Sequence, residues 1–128
     1  MKEDASMGLD VNDIVKKNPD LAMPEGLSAG AEEAWRLVVR TAVERGLEYT
    51  GGSRVFYSPQ EWRDRGEQYG TNSELVIVYD GSDVGRLFSL DKDMTADYVN
   101  LNAMSETLHS VGFFAEECTC WYAALYKG

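Results

Sequence analysis

The sequence predicts an α+β domain, in which a sheet of about four mixed or antiparallel strands is packed by two long helices and one short helix. Three observations lead to this fold class. Two segments are apolar at nearly every position, which is typical of covered strands. Two others repeat apolar residues at helical spacing. Turn residues separate these segments along 128 residues, a length that is typical of one domain.

The central strands are predicted at about residues 74–79 and 117–126. The first contains Leu75-Val-Ile-Val-Tyr79, a run rich in β-branched residues that favours a strand. The second is apolar on both parities from Cys118 to Tyr126. Both faces of such strands have to be covered, so we expect the two to lie side by side at the middle of the sheet.

The remaining strands are shorter. The turn residues Asp80-Gly81-Ser82-Asp83 follow the first central strand, and Arg86 to Leu90 then reads as a return strand, which predicts a β-hairpin. Another strand is expected at 53–58, where the alternation puts Val55 and Tyr57 on one side and Arg54 and Phe56 on the other.

The long helices are predicted at about 29–45 and 94–111. Ser28 is a candidate N-cap for the first, and Gly46 is its stop. Its apolar stripe consists of Trp35, Val38, Val39, Ala42 and Val43. The stripe of the second helix consists of Met94, Tyr98, Leu101, Met104, Leu108 and Val111, and Gly112 follows it. We interpret both stripes as core-facing surfaces.

A short helix is predicted at about 59–68, because Ser58-Pro59-Gln60-Glu61 combines a hydroxyl cap, a proline at the first position and a glutamate at the third. Trp62 is expected to anchor it to the sheet. Residues 1–26 are interpreted as an N-terminal tail carrying a short helix at about 11–17, and residues 27–128 as the single α+β domain. Because two turns alone are unstable in water, the short helix either docks on the domain, which we favour, or stays mobile until a partner binds it.

The predicted helices do not cover the sheet evenly. Two long helices are enough for one face, while the other has only the Trp62 helix and the N-terminal piece. Because two strands are apolar on both faces, we expect the remaining face to contact a second copy in a two-fold homodimer.

The chain carries a net charge of −10, and residues 74–117 hold nine acids against two bases. This charge repels phosphates, so direct nucleic-acid binding is not expected, whereas a basic protein partner is favoured. The acids of a candidate partner surface are Glu74, Asp80, Asp83, Asp91, Asp93, Asp97 and Glu106. Solubility alone is the alternative explanation for the acidic balance.

No catalytic or cofactor motif is present in the sequence, so we expect no enzyme activity, no metal and no cofactor. Cys118 and Cys120 are interpreted as reduced thiols, because two positions along a strand suit a disulfide poorly. His109 falls in the last turn of a predicted helix, where a structural role is more common.

The sequence also has no membrane-length apolar run and no apolar leader, which leads us to expect a cytoplasmic protein.

Four segments resemble small uncharacterised proteins of bacteria and their phages: FYSPQEW (56–62), RGEQYG (65–70), LVIVYDG (75–81) and AEECTCWYAALY (115–126). The resemblance covers about residues 50–128. It implies a phage or prophage setting, and it brings no activity and no catalytic residues.

Three functions follow as hypotheses. The first is a structural or accessory protein-binding module. The second is a phage counter-defence inhibitor that covers a basic nucleic-acid-binding surface, in which case binding should weaken with salt. The third is a small enzyme, for which the candidate polar groups are Arg54, Tyr57, Asp80 and His109. A pocket that joins at least three of these groups would favour the third hypothesis.

Overall fold

The computed structural model describes residues 10–46, 53–79, 84, 87–88, 95–119 and 121–128. Its helices are α1 (Val11–Lys17), α2 (Ala29–Glu44), α3 (Pro59–Asp64) and α4 (Thr95–His109), and a 3₁₀ turn at Pro19–Leu21 follows α1. Its strands are β1 (Phe56–Tyr57), β2 (Leu75–Val78), β3 (Phe113–Thr119) and β4 (Tyr122–Lys127). The fold is therefore α+β, as predicted.

The four strands form one antiparallel sheet in the order β1–β2–β4–β3. Val76 stands opposite Ala124 in the central pair. No residue of β2 is more than 9% exposed, because both of its faces are covered. The prediction that the segments around Val76 and Trp121 meet at the middle of the sheet is confirmed.

The predicted strand at 117–126 is wrong in one respect, because the chain reverses within it. β3 and β4 form a hairpin, with a register shift between Glu117 and Thr119. The Trp121 N–H donates to Oγ1 of Thr119 at 3.2 Å, which stabilises the turn. The turn is made without glycine or proline at 119 or 121, so the sequence carries no conventional turn signal there.

The predicted return strand at 86–90 is also wrong. Both edges of β2 are occupied by β1 and β4, which leaves no room for it. Val84, Leu87 and Phe88 are buried, and Phe88 stacks on Tyr79 with ring centroids 6.5 Å apart. The three- and four-residue spacing of these apolar side chains is helical rather than alternating, and residues 84 and 87 lie in 3₁₀ turns. The loop acids Asp80 and Asp83 lie outside the described residues.

Helix α2 forms as its sequence predicts. The Ser28 hydroxyl accepts from the Ala31 N–H at 3.1 Å, and Gly46 follows the helix end with φ of 69°. Trp35 is 4% exposed, and its indole N–H donates to the Leu21 carbonyl at 2.9 Å. This bond ties α2 to the 3₁₀ turn, so the tryptophan is both a core and a hydrogen-bonding residue.

Helix α4 ends earlier than predicted, at His109 instead of about residue 111. Met104 and Leu108 are fully buried, as expected of a core stripe. Val111 is 38% exposed, contrary to its predicted place on that stripe, because it lies beyond the helix and next to Gly112, whose φ of 83° redirects the chain. Asn100 of α4 accepts from Nε of Arg45 at 2.7 Å, which links α4 to the end of α2. The predicted helix start at Met94, Asp91 and Asp93 lies outside the described residues.

Helix α3 begins as predicted and ends early. The Ser58 side chain caps the Glu61 N–H, and Glu61 in turn accepts from the Ser58 N–H. Gly66 adopts φ of 78°, a left-handed conformation that ends the helix before residue 68. Trp62 is fully buried, which confirms its predicted role as the anchor.

Helix α1 docks on the domain. Asp10 caps it by accepting from the Asn12 N–H at 2.9 Å, and Val11 is buried among core residues. The Val55 N–H donates to the Asp20 carbonyl at 2.9 Å, so the segment after α1 contacts the chain next to β1. The division of the chain at residue 26 stays a prediction.

The two faces of the sheet carry different side chains. The face under α2 and α4, here called the main core, contains Leu75, Ile77, Ala123 and Leu125 together with the helix stripes. The opposite face, here called the aromatic cluster, consists of Trp62, Val76, Val78 and Tyr122, with Tyr57, Cys118 and Trp121 packed against them. In the part of the chain that the structure describes, no helix has the length and apolar character needed to cross a membrane.

Candidate functional site at the edge of the sheet

Strand β3 forms one margin of the sheet that the described residues build, and its outer side is open in that part of the chain. Gly112 turns the chain out of α4, and Phe113 then anchors the strand in the main core at 3% exposure. The next four residues, 114–117, are all exposed. Among the described residues, no further strand flanks β3 beyond its pairing with β4.

The backbone of β3 presents hydrogen-bonding groups on that open side. The Gly128 N–H donates to the Gly112 carbonyl at 2.8 Å, so these two residues face each other in a bonded pair. Bonding alternates along an antiparallel ladder. The N–H and C=O groups of Phe113, Ala115 and Glu117 therefore point away from β4, at the spacing that another strand would match.

An exposed aromatic pair lies on the face of this edge shared with the aromatic cluster. Phe114 is 40% exposed, and its ring stacks on that of Tyr126 with centroids 5.6 Å apart and planes inclined by 22°. Gly128 packs so closely that an added Cβ would lie 3.3 Å from Cδ1 of Phe114. The ring is therefore held in place while part of its surface contacts solvent.

A cleft lies on the other face, between α4 and β3. Its volume is about 290 Å³. Leu101 and Ala115 form its accessible apolar walls above the buried Met104 and Leu108, and the exposed His109 lines it as well. This histidine is the one the sequence placed in the last turn of a helix, and α4 does end there. The cleft is large enough to hold an apolar side chain that enters from a neighbouring strand.

The charged groups of the edge are acidic. Glu116 and Glu117 are both exposed on β3. Burial raises the pKa of the Cys118 thiol, and the nearby Glu116 carboxylate raises it further. Burial is also the main reason that the pKa of Tyr126 is raised, with smaller contributions from Cys118 and Glu116. Both groups therefore stay protonated at neutral pH, and the carboxylates provide the charge at this edge.

The acidic surface predicted from the sequence is described only in part. Glu74 accepts from the Ser28 hydroxyl at 3.0 Å, close to the start of α2. Glu106 is exposed on α4, and Asp97 belongs to the same helix. The other members, Asp80, Asp83, Asp91 and Asp93, lie outside the described residues. A single surface formed by all seven acids stays a prediction.

The polar groups considered for an enzyme lie apart. The guanidinium of Arg54 lies over the Tyr57 ring at 4.2 Å and donates to Glu61 at 2.7 Å. These residues are on the side of the aromatic cluster, whereas His109 lies beside the main core. A pocket joining Arg54, Tyr57 and His109 would have to pass through the sheet. Asp80 lies outside the described residues.

Metal-binding groups are not assembled in the described part of the chain. No set of three or more histidine, cysteine, aspartate or glutamate side chains there is arranged to hold a metal ion. Cys118 is a free cysteine, in agreement with its interpretation as a reduced thiol. Cys120 lies outside the described residues.

Sequence reasoning did not identify the open edge as a site. The signal in the sequence is the pair Glu116-Glu117, which interrupts the apolar residues between Phe113 and Tyr126 and marks a solvent-facing part of the strand. Comparison with known proteins adds no further information, because no family model, no curated protein and no solved structure matches the chain.

Proposed function

We propose that the chain is a non-enzymatic, cytoplasmic protein-binding module that engages its partner along β3. The single observation that supports this most strongly is the run of four exposed residues on an edge strand, including the 40%-exposed Phe114. An open edge offers main-chain hydrogen bonds, and side-chain sites on its two faces give selectivity. The aromatic pair on one face and the cleft on the other are suited to that role.

The expected homodimer and the phage setting remain part of the proposal. The dimer was expected because two strands are apolar on both faces. Within one chain, however, Trp62 covers β2 and Tyr122 on the second face, and Gly70 approaches Ala124 so closely that an added Cβ would lie 3.3 Å from its side chain. A second copy is therefore not needed to shield the central strands, and a homodimer would have to form through another surface.

The substitution Ala115→Pro tests the proposed surface. Proline removes the outward N–H at the middle of the edge, while the ladder to β4 uses the alternate residues and is kept. Peptides would be selected from a random displayed library against the folded wild-type chain. We expect their binding to shift the amide resonances of residues 113–117 and to weaken by about tenfold or more in Ala115→Pro, because an edge hydrogen bond is lost and the proline ring hinders the approach of a strand.

The matched control is Ala115→Ser, which keeps the N–H and should bind as the wild type does. Circular dichroism and the urea midpoint would establish that both variants fold. Selected peptides that shift resonances elsewhere on the chain, or that bind Ala115→Pro with unchanged affinity, would refute β3 as the binding surface.

A further inference from the structure

Resting on the proposed function, we infer that the partner of β3 is an extended, basic segment of another protein, which adds a fifth strand to the sheet with lysine or arginine opposite Glu116 and Glu117. The inference combines three features of one edge: open backbone groups, an apolar site on each face, and adjacent exposed carboxylates. Each of them constrains a different property of the partner.

The backbone sets the conformation of the partner. The outward groups of Phe113, Ala115 and Glu117 recur at every second residue, so only an extended chain can bond to them in succession. Every pair in the existing sheet is antiparallel, and the added strand is assigned the same direction. A folded helix would satisfy at most one of these groups at a time.

The faces of the sheet set the side chains of the partner. Ala115 is small and borders the cleft, so the residue opposite it is a large apolar one that fills the space beside Met104 and Leu108. The residue opposite Phe114 is aromatic or apolar, because it extends the stack with Tyr126. From its N-terminus, a partner strand antiparallel to β3 therefore has the order basic, basic, apolar, aromatic. These four residues stand opposite residues 117, 116, 115 and 114 of β3.

The charges disfavour a second copy of this chain in the registers centred on Ala115, Glu116 and Glu117. Two antiparallel copies keep their faces matched only when residues of the same parity stand opposite each other. If Glu116 or Glu117 stands opposite its own copy, two carboxylates face each other directly. If Ala115 stands opposite its own copy, the two Glu116 side chains are diagonal neighbours. Like charges in these positions destabilise strand pairing, and natural proteins protect edges in this way. The same carboxylates attract a basic strand.

Defined peptides test this inference without knowledge of the natural partner. The probe is a fluorescent peptide with the core Lys-Lys-Leu-Tyr between threonines, and its control is the same composition in the order Lys-Leu-Lys-Tyr. Fluorescence anisotropy is expected to give about tenfold tighter binding for the first order, since only that order places leucine at the cleft and both lysines at carboxylates. Binding of the probe should weaken as salt is raised.

Methylated peptides test the backbone contribution separately. Methylation of the amides of the first lysine and the leucine, which face β3, is expected to abolish binding. Methylation of the amides of the second lysine and the tyrosine, which face away from β3, should leave it unchanged. Equal effects from both peptides would overturn strand addition, because side-chain contacts alone do not distinguish the two sets of amides.

Charge reversal in the protein completes the design. The double variant Glu116→Lys with Glu117→Lys should lose probe affinity by about tenfold or more and should gain affinity for an otherwise identical peptide with two glutamates. The control with the same change in net charge is Glu25→Lys with Glu44→Lys, two exposed positions outside β3. A control variant that loses as much affinity would overturn the inference, because general attraction would then explain the binding.

The outcomes separate this inference from the proposed function. Library peptides that bind β3, depend on Ala115 and show no preference for basic residues would overturn the basic partner and leave the binding edge in place. A dimer in sedimentation velocity that Ala115→Pro abolishes would make a second copy the occupant and overturn the inference as well. If no peptide and no second copy binds at β3, both proposals fail.

Discussion

The two faces of the sheet are stabilised in different ways. The main core holds twenty buried described residues, contributed by α1, α2, α4, the strands and the segments that connect them. The aromatic cluster holds four, beneath a helix of six residues. Removing one side chain from the main core therefore leaves many others in place, whereas Trp62 is the one buried side chain that α3 contributes to the aromatic cluster.

The geometry around Trp62 explains this dependence. Its ring centroid lies 4.8 Å from that of Tyr122, 5.2 Å from that of Tyr57 and 5.9 Å from that of Trp121. Its indole N–H donates to the Tyr69 carbonyl at 3.0 Å, and the Tyr122 hydroxyl donates to the same oxygen at 3.1 Å. One side chain thus orders the helix, three aromatic neighbours and the loop that follows.

The largest expected effect is that of Trp62→Ala. It should lower the free energy of unfolding by about 3–5 kcal/mol, because a fully buried indole is replaced by a cavity. Urea unfolding measures this loss. Native-state hydrogen exchange should show that the amides of residues 61–66 lose protection first, while those of α2 stay protected.

The matched control is Leu108→Ala in the main core, with an expected loss of about 2–5 kcal/mol. Its effect should appear as easier global unfolding, since α4 packs with α2 and the sheet as one unit. If Trp62→Ala opens α2 and α3 together, the two faces form one cooperative unit, and the comparison between them fails.

Most of the helices and strands are predictable from the sequence, because their apolar patterns and cap residues lie within short segments. The run Leu75–Val78 is apolar at every position, and the Trp35 stripe repeats at helical spacing, so burial follows directly from sequence. Ser58-Pro59-Gln60-Glu61 gives the start of α3 for the same reason. These elements can be predicted because the interactions and patterns that define them involve residues close to each other in the sequence.

The sequence-based predictions are wrong where contacts between residues distant in sequence determine the local structure. The turn between β3 and β4 has Trp121 held by the Thr119 hydroxyl, which turn propensities do not indicate. Leu87 was assigned to a strand because it follows a turn signal, but β1 and β4 already pair with both edges of β2. The open edge at β3 was equally out of reach, because strand order does not follow from the residues of one strand.

A smaller effect is expected from the helix caps, one on each face. Ser58→Ala removes the acceptor of the Glu61 N–H at 3.1 Å, and Ser28→Ala removes that of the Ala31 N–H at the same distance. Each should cost about 1 kcal/mol of unfolding free energy, measured in urea. Hydrogen exchange should distinguish them, since α3 opens locally after Ser58→Ala, whereas the longer α2 stays closed after Ser28→Ala. Local opening of α2 in the second variant would contradict this.

The smallest expected effect concerns the pH dependence of the aromatic side. The pKa of Glu61 is lowered from its ordinary value of 4.5, chiefly by the hydrogen bond from Arg54 at 2.7 Å. Partial burial opposes this shift, and the Ser58 N–H supports it at 2.9 Å. A carboxyl with a depressed pKa stabilises the folded state above its unfolded value and loses that contribution as the pH falls through its folded value.

The variant Glu61→Gln tests this dependence. Its stability deficit relative to the wild type should be largest at neutral pH and should shrink as the pH falls below 4.5, as measured by urea unfolding across the pH range. Salt should reduce the deficit, because the Glu61 side chain is 39% exposed. Glu44→Gln on α2, which removes the exposed ion pair with Arg40 at 3.6 Å, is the control and should change stability little. A stability deficit that stays constant through this pH range would contradict the prediction. It would mean that the charge of Glu61 does not help to hold α3 on the aromatic cluster, and that the variant differs only in its capping hydrogen bond.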